Sequence, residues 1–215
     1  MATPSIAVID YGMGNLRSVG KALELVGAQV LVTDRPQEIK KASAVVFPGV
    51  GSFGPAIAYI KQRGIDEAIL EAIEEDKPFL GLCLGFQLLF DSSEENGTRK
   101  GLGVIPGKVL KFDFKTKKLS KLKVPHMGWN SIRQQDTAEA RRMFKGIPDN
   151  SYFYFVHSFY GKPKEGKAVA GKTEYGIPFC AAVASGRTWA CQFHPEKSGS
   201  KGLRLLKNFV EEAKK

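Results

Sequence analysis

The sequence predicts an α/β fold: a mostly parallel central sheet flanked by helices, with an antiparallel β extension in the C-terminal half. Three observations carry this reading. Before residue 100, β-branched apolar runs alternate with stretches of helical spacing, the pattern that pairs strands in parallel and covers both faces of a sheet. Beyond residue 100, short strand-like runs follow one another across turns such as "ASGR" (184–187), as antiparallel hairpins do. The 215 residues suffice for one good core, and no repeat, low-complexity linker or abrupt change of composition divides them, so a single domain over 1–215 is expected.

In chain order, "SIAVID" (5–10) is a strand ending at a turn. "LRSVGKALELVG" (16–27) sets Leu16, Val19, Leu23 and Val26 at helical spacing behind Asn15, a suitable N-cap. "AQVLVTD" (28–34) reads as a strand, and Pro36 opens a short helix. "SAVVFPGVGSFG" (43–54) is a third strand running into a glycine-rich loop, and 55–76 is helical with a break near Gly64. "KPFLGLC" (77–83) is the next strand and "GFQLLFDSS" (85–93) the next helix. The later strands are expected at 107–114, 127–133, 151–158, 167–175, 178–185 and 188–194, before a closing amphipathic helix over 200–215.

Composition excludes several classes. A hydrophobic share of 43% and a charged share of 25% belong to an ordinary globular chain, and no run approaches twenty apolar residues, so no membrane span is expected. The start lacks a basic segment followed by an apolar one, so no signal peptide is read. Cys83, Cys180 and Cys191 are odd in number and lack C-x-x-C spacing, which argues against a disulfide framework or zinc cage and for a reducing cytoplasm. The net charge of +10 is concentrated in 108–123, where seven lysines face one acid, Asp113. That stretch is expected as an exposed lysine-guarded edge or hairpin, with a partner-docking surface as the alternative. No nucleic-acid motif accompanies it.

Ligands of an open parallel sheet gather at the carboxyl ends of its strands, and three glycine-bearing turns fall there: "DYGMGN" (10–15), "PGVGSFG" (48–54) and "GLCLG" (81–85). The first is not a dinucleotide fingerprint, because Arg17 occupies the third glycine position of G-x-G-x-x-G. The third, G-x-C-x-G, is analogous to the G-x-S-x-G elbow, on which a strained nucleophile stands above the sheet. A helix beginning just after Cys83 would direct its free N–H groups at the sulfur and favour thiolate. Such a nucleophile benefits from a base, and the base from an orienting group. His194 stands at a strand end, and Glu196, two residues on, projects to the same side in extended chain, with Pro195 stiffening the link. Cys180 and Cys191 lie inside apolar strands and read as core. Cys191 and His194 differ by an odd number and so tend to face opposite sides of a strand, which with the lack of H-E-x-x-H spacing leaves no metal site expected.

"GLCLGFQLL" with "QFHPEKS" resembles the class I (triad-type) glutamine amidotransferases, whose fold is flavodoxin-like. "DYGMGNLRSV", "FPGVGSFG", "PHMGWN" and "YFVHSFY" narrow the resemblance to the branch whose glutaminases serve histidine biosynthesis, over residues 5 to 210. A glutamine amidotransferase subunit serving a different synthase is the alternative. The resemblance implies that Cys83 attacks the side-chain amide of glutamine, that His194 passes the proton to the leaving ammonia, and that Glu196 orients His194. It implies no cofactor. It further implies that Gln87 and Glu95 help hold the substrate and that His157, Ser158 and Phe159 grip its α-carboxylate. By the same resemblance, Gly49 and Val50 form the oxyanion strand. Val50 N–H and Leu84 N–H are the candidate oxyanion donors, and a Gly49–Val50 peptide flanked by Gly51 could turn over at low steric cost. The implied partner is a (β/α)₈-barrel cyclase in a heterodimer, docked near Asn15, His126, Trp129 and Asn130.

Overall fold

The computed structural model describes residues 3–114 and 122–215. The N-terminal half alternates as its apolar spacing predicts: β1 (Ser5–Ile9), α1 (Leu16–Leu25), β2 (Gln29–Thr33), α2 (Pro36–Lys41), β3 (Ala44–Phe47), α3 (Phe53–Gln62), α4 (Ile65–Glu74), β4 (Phe79–Leu82) and α5 (Leu84–Leu88). Asn15 occupies the N-cap position of α1 and its carbonyl accepts from Val19 N–H at 3.1 Å, but its side chain makes no capping bond. There follow β5 (Phe90–Ser93), β6 (Arg99–Lys100), β7 (Ile105–Lys111), β8 (His126–Gln134), α6 (Ala138–Met143), β9 (Ser151–His157), β10 (Phe159–Pro163), β11 (Val169–Tyr175), β12 (Ile177–Ser185), β13 (Thr188–Cys191) and α7 (Gly199–Ala213).

The main sheet runs β2-β1-β3-β4-β13-β12-β11-β8-β9. Strands β2, β1, β3, β4 and β13 are mutually parallel; from β12 onward every pairing is antiparallel. The last strand in sequence thus inserts beside β4, in the middle of the sheet, and joins its two halves. Side chains alternate between the faces as a period of two requires. Val8, Val46, Leu80 and Leu82 pack in one core cluster with residues of α1, α6 and α7, while Ile9, Val45, Phe47 and Phe79 pack in the other with α3 and α4. Each such side chain contributes about 1.5–3 kcal/mol by leaving water.

Two expectations are corrected. The helix expected over 85–93 ends at Leu88, and 90–93 is strand, because the carbonyls of Leu88, Leu89 and Phe90 accept from Leu102, Ile105 and Gly103 N–H instead of continuing the helical ladder. Strand β7, which begins the lysine-rich stretch, is not an edge. It lies inside a second sheet, β10-β7-β5-β6, with Lys108 and Lys111 on its exposed positions; residues 115–121 of that stretch lie outside the described residues. Helix α6 was not read from the sequence; Thr137 caps it by accepting from Ala140 N–H at 3.1 Å.

Candidate active site

The site is built where the parallel strands end. Directly after β4, Cys83 adopts φ 51° and ψ −101°, a left-handed conformation that costs a non-glycine residue about 1–3 kcal/mol. The surrounding backbone holds it there: Cys83 N–H donates to Cys191 O at 2.8 Å, and Cys83 O accepts from Gln87 N–H at 3.1 Å. Gly85 lets α5 approach β3, since a side-chain carbon at that position would lie 1.8 Å from Phe47 O. Helix α5 is barely more than one turn, so its dipole supplies less positive potential than the expected helix would. The cationic partner for the sulfur comes from the neighbouring strand.

Strand β13 pairs with β4 so that Cys191 faces Leu82, and the chain then carries Gln192 and His194 past Cys83. His194 is extended, but Pro195–Lys197 forms a 3-10 turn, so Glu196 reaches the imidazole by a turn and not by the expected straight strand. His194 Nδ1 donates to Glu196 Oε1 at 2.9 Å, with both side chains almost wholly buried. Among the described residues, His194 Nε2 is buried without a hydrogen-bond partner of ordinary geometry. Burial opposes charge on this ring, but its contacts with Cys83 and Glu196 outweigh burial and push its pKa up to about 10. Ser198 Oγ donates to His194 O at 2.6 Å and accepts from Tyr154 N–H at 3.0 Å, so β9 buttresses the turn. Cys180 and Cys191 are fully buried and burial raises both thiols, Cys180 to about 12, as inert core groups.

A cavity of about 390 Å³ opens beside Cys83, lined by Val50, Leu84 and all five expected substrate residues, Gln87, Glu95, His157, Ser158 and Phe159. Gln87 is buried and already engaged: its amide donates to Phe159 O and to Gln192 Oε1, each at 3.0 Å. Glu95 Oε2 accepts from Phe53 N–H at 2.7 Å. Gln192, absent from the sequence reading, lies 3.7 Å from Cys83 Sγ through its amide nitrogen. The signal for it was available, because it stands two residues before His194 and so on the same side of the strand. Leu84 N–H donates to Gly49 O at 3.3 Å, so in this conformation one of the two expected oxyanion donors is occupied by the backbone.

The wall opposite Cys83 comes from the antiparallel half. His126 lies across from His157 in the β8–β9 register, and their Nδ1 and Nε2 atoms are 3.0 Å apart. His157 Nδ1 faces Phe159 O at 2.7 Å, and a carbonyl only accepts, so that nitrogen carries the proton. His157 Nε2 then accepts from His126 Nδ1–H, and His126 Nε2 accepts from the Asn130 amide at 3.3 Å. Both rings are neutral in this chain. Burial lowers His157 to about 3 and His126 to about 4, and for His157 the charges of the other histidines add to that. Of the residues expected near a partner, Trp129 is 55% exposed beside Met127 and Tyr152, Asn15 and Asn130 are half-buried, and His126 is buried.

Comparison with known proteins identifies the family and the fold. The family model described as "Glutamine amidotransferase class-I" matches residues 7–213. Solved structures of a glutamine amidotransferase and of PurLQS from Thermotoga maritima share the fold, with TM-scores of 0.72 and 0.75 at 19% and 18% identity, each covering 98% of this chain and 99% of the other. The chain belongs to the class I glutamine amidotransferases. The proteins named imidazole glycerol phosphate synthase subunit HisH are far more similar. Those of Moorella thermoacetica and Geobacter metallireducens are 49% and 50% identical, over 96% and 98% of this chain and 94% and 98% of theirs. Within the class, this chain belongs to that subunit family.

Proposed function

We propose that this chain is the glutaminase subunit of an imidazole glycerol phosphate synthase, acting in the cytoplasm as a single amidotransferase domain. The observation that carries the reading is the His194–Glu196 pair at 2.9 Å, with the other nitrogen of His194 buried and its ring in contact with Cys83 at the strained elbow. Cys83 Sγ attacks the side-chain carbonyl carbon of glutamine, whose oxygen takes the negative charge. His194 gives its proton to the nitrogen, the C–N bond breaks and ammonia leaves, with a γ-glutamyl thioester on Cys83. Water, deprotonated by His194, then cleaves the thioester to glutamate and restores the thiolate–imidazolium pair. Glu196 orients His194 and balances its charge.

Substrate fits the cavity by chemistry as well as size. Phe159 O is held by donors from both His157 and Gln87, which turns that peptide's carbonyl inward to the protein and leaves the 157–159 backbone to meet an α-carboxylate. Glu95 offers its carboxylate to the amino group. The oxyanion is stabilised by Leu84 N–H and Val50 N–H once the Gly49–Val50 peptide turns over, a change triggered when the partner is loaded. Each such donor is worth about 3 kcal/mol in known cases. Ammonia then passes to a (β/α)₈-barrel cyclase bound as a heterodimer on the face bearing Asn15, Trp129 and Asn130, where imidazole glycerol phosphate and an aminoimidazole carboxamide ribotide are made. Cys83→Ala tests the whole scheme: glutamine-driven synthesis by the complex is abolished while ammonia-driven synthesis continues at the wild-type rate. Retained glutamine-driven synthesis would sink it.

A further inference from the structure

Tyr11 lies two residues beyond β1, 1% exposed, with its ring edge-on to Phe47 at 5.4 Å between centroids. Among the described residues, its hydroxyl is buried without a hydrogen-bond partner. Buried hydroxyls are almost always satisfied, so an orphan calls for an account of where its bond is made. Burial, and behind it the negative charge of Cys83, raise this phenol well above its ordinary value, so it stays protonated and able to donate.

The atom nearest to that hydroxyl in functional terms is on the oxyanion strand. A side-chain carbon at Gly49 would lie 1.7 Å from Tyr11 Oη, so the hydroxyl fills the space that any other residue at 49 would need. The backbone of Gly49 is not left-handed, so close approach by Tyr11, not φ, is what demands glycine there. In the present conformation Gly49 O accepts from Leu84 N–H. Turning the Gly49–Val50 peptide over breaks that bond, and a buried carbonyl left without a donor would make the turned state unfavourable.

We propose that Tyr11 is a positioning residue for the oxyanion strand: its hydroxyl receives the Gly49 carbonyl in the turned-over state, freeing Leu84 N–H and aiming Val50 N–H at the substrate. This rests on the glutaminase reading above and adds the group that stabilises its active conformation. One polar atom is orphaned in the resting state and another would be orphaned in the turned state, and a single O–H···O bond resolves both. Tyr11 touches neither substrate nor sulfur in this role.

Tyr11→Phe removes only the oxygen. In the complex with the cyclase, glutamine hydrolysis is measured with and without the partner's phosphoribulosyl formimino substrate. The expected result is a fall of about tenfold in kcat of the loaded complex, the size of one buried neutral hydrogen bond, with KM for glutamine unchanged and the loaded-to-unloaded ratio reduced by the same factor. A loaded kcat within about twofold of wild type, or an equal fall in both states, overturns the proposal. Wild-type complex that releases no ammonia from glutamine overturns the glutaminase reading instead. If Tyr11→Phe does not fold, a crystal structure of the wild-type complex trapped as the Cys83 thioester decides: Tyr11 Oη within about 3.2 Å of Gly49 O supports the proposal, and a longer separation overturns it.

Discussion

The two halves of the main sheet contribute to the site in different ways. In the parallel half, β3 and β4 are buried on both faces, so nothing along their length can meet a ligand. The proposed chemistry is confined to the strand ends, where backbone geometry does the positioning: the elbow at Cys83, the Gly49–Val50 peptide, and the turn that folds Glu196 beneath His194. In the antiparallel half, β9 alternates between buried and less buried positions, and its role is carried by side chains projecting from one face. Phe153, Phe155 and His157 point inward, and His157 connects through His126 to Asn130, whose amide also donates to Glu174 O at 2.9 Å, while Trp129 projects to the opposite face of β8. A site assembled from strand ends tolerates little substitution of atoms; a wall assembled from side chains ties catalysis to stability and to pH.

The sharpest test of that contrast is Glu196→Gln at the parallel end. An amide of the same shape preserves packing but removes the charge that Nδ1 addresses, and it permits the wrong ring orientation. We expect kcat for glutamine to fall by about 10²–10⁴, as when the acid of a triad becomes its amide. The His194 pKa, now about 10, should move down toward the ordinary 6.5 because one of the two contacts that raise it loses its charge. NMR titration of the imidazole reads the second effect directly. A variant that keeps wild-type turnover with an unmoved pKa would show that Glu196 only packs.

The antiparallel wall predicts an effect on folding instead. His157 has a folded pKa of about 3, below its unfolded value of about 6.5, so between these values the unfolded chain binds more protons than the folded one. Its contribution is therefore complete above pH 6.5 and is lost as pH falls toward 3. From His157 alone the loss between pH 7 and pH 5 is about 2 kcal/mol. Urea unfolding at the two pH values measures it, and His157→Gln, which does not titrate, should flatten that part of the profile. An equally steep profile in the variant would locate the acid sensitivity elsewhere.

What could be read in the sequence follows the same division. The inner parallel strands β1, β3 and β4 were legible because burial on both faces leaves a continuous apolar run, and the elbow was legible because only small residues fit beside such a turn, as Gly85 against Phe47 O illustrates. The pairing of His194 with Glu196 was legible from two-residue spacing, although the chain achieves it through a 3-10 turn. Gln192 carried only the signal of its spacing from His194, and Tyr11 carried none, because each takes its meaning from a strand that is distant in sequence: Gln192 matters only once β13 lies beside β4. The His126–His157 contact depends on the β8–β9 register, which no local pattern specifies. The boundary between α5 and β5 failed for a related reason, since "QLLF" suits either state and the carbonyl partners near residue 103 decide it.

The smallest effect on folding, and a separate one on assembly, is expected at Trp129. An indole is normally among the most buried groups, and at 55% exposure this one makes, among the described residues, a single edge-on ring contact, with Tyr154 at 6.1 Å. Met127 and Trp129 alternate onto the same side of β8, and Tyr152 of β9 is also exposed, so the apolar surface is contiguous and not a stray residue. Truncating Trp129 to alanine removes little that folding uses, so the urea midpoint of the subunit should shift by no more than about 0.5 kcal/mol equivalent. Central tryptophans of interfaces carry about 2 kcal/mol or more, so the same variant should bind the proposed cyclase partner about thirtyfold more weakly. Calorimetric titration of the two subunits measures this alongside the denaturation curve. A large loss of stability with unchanged affinity would make the indole part of the antiparallel core and move the docking face elsewhere. The reverse result would establish that the antiparallel half, which holds one wall of the cavity through His157, also presents the surface through which a bound partner can act on it.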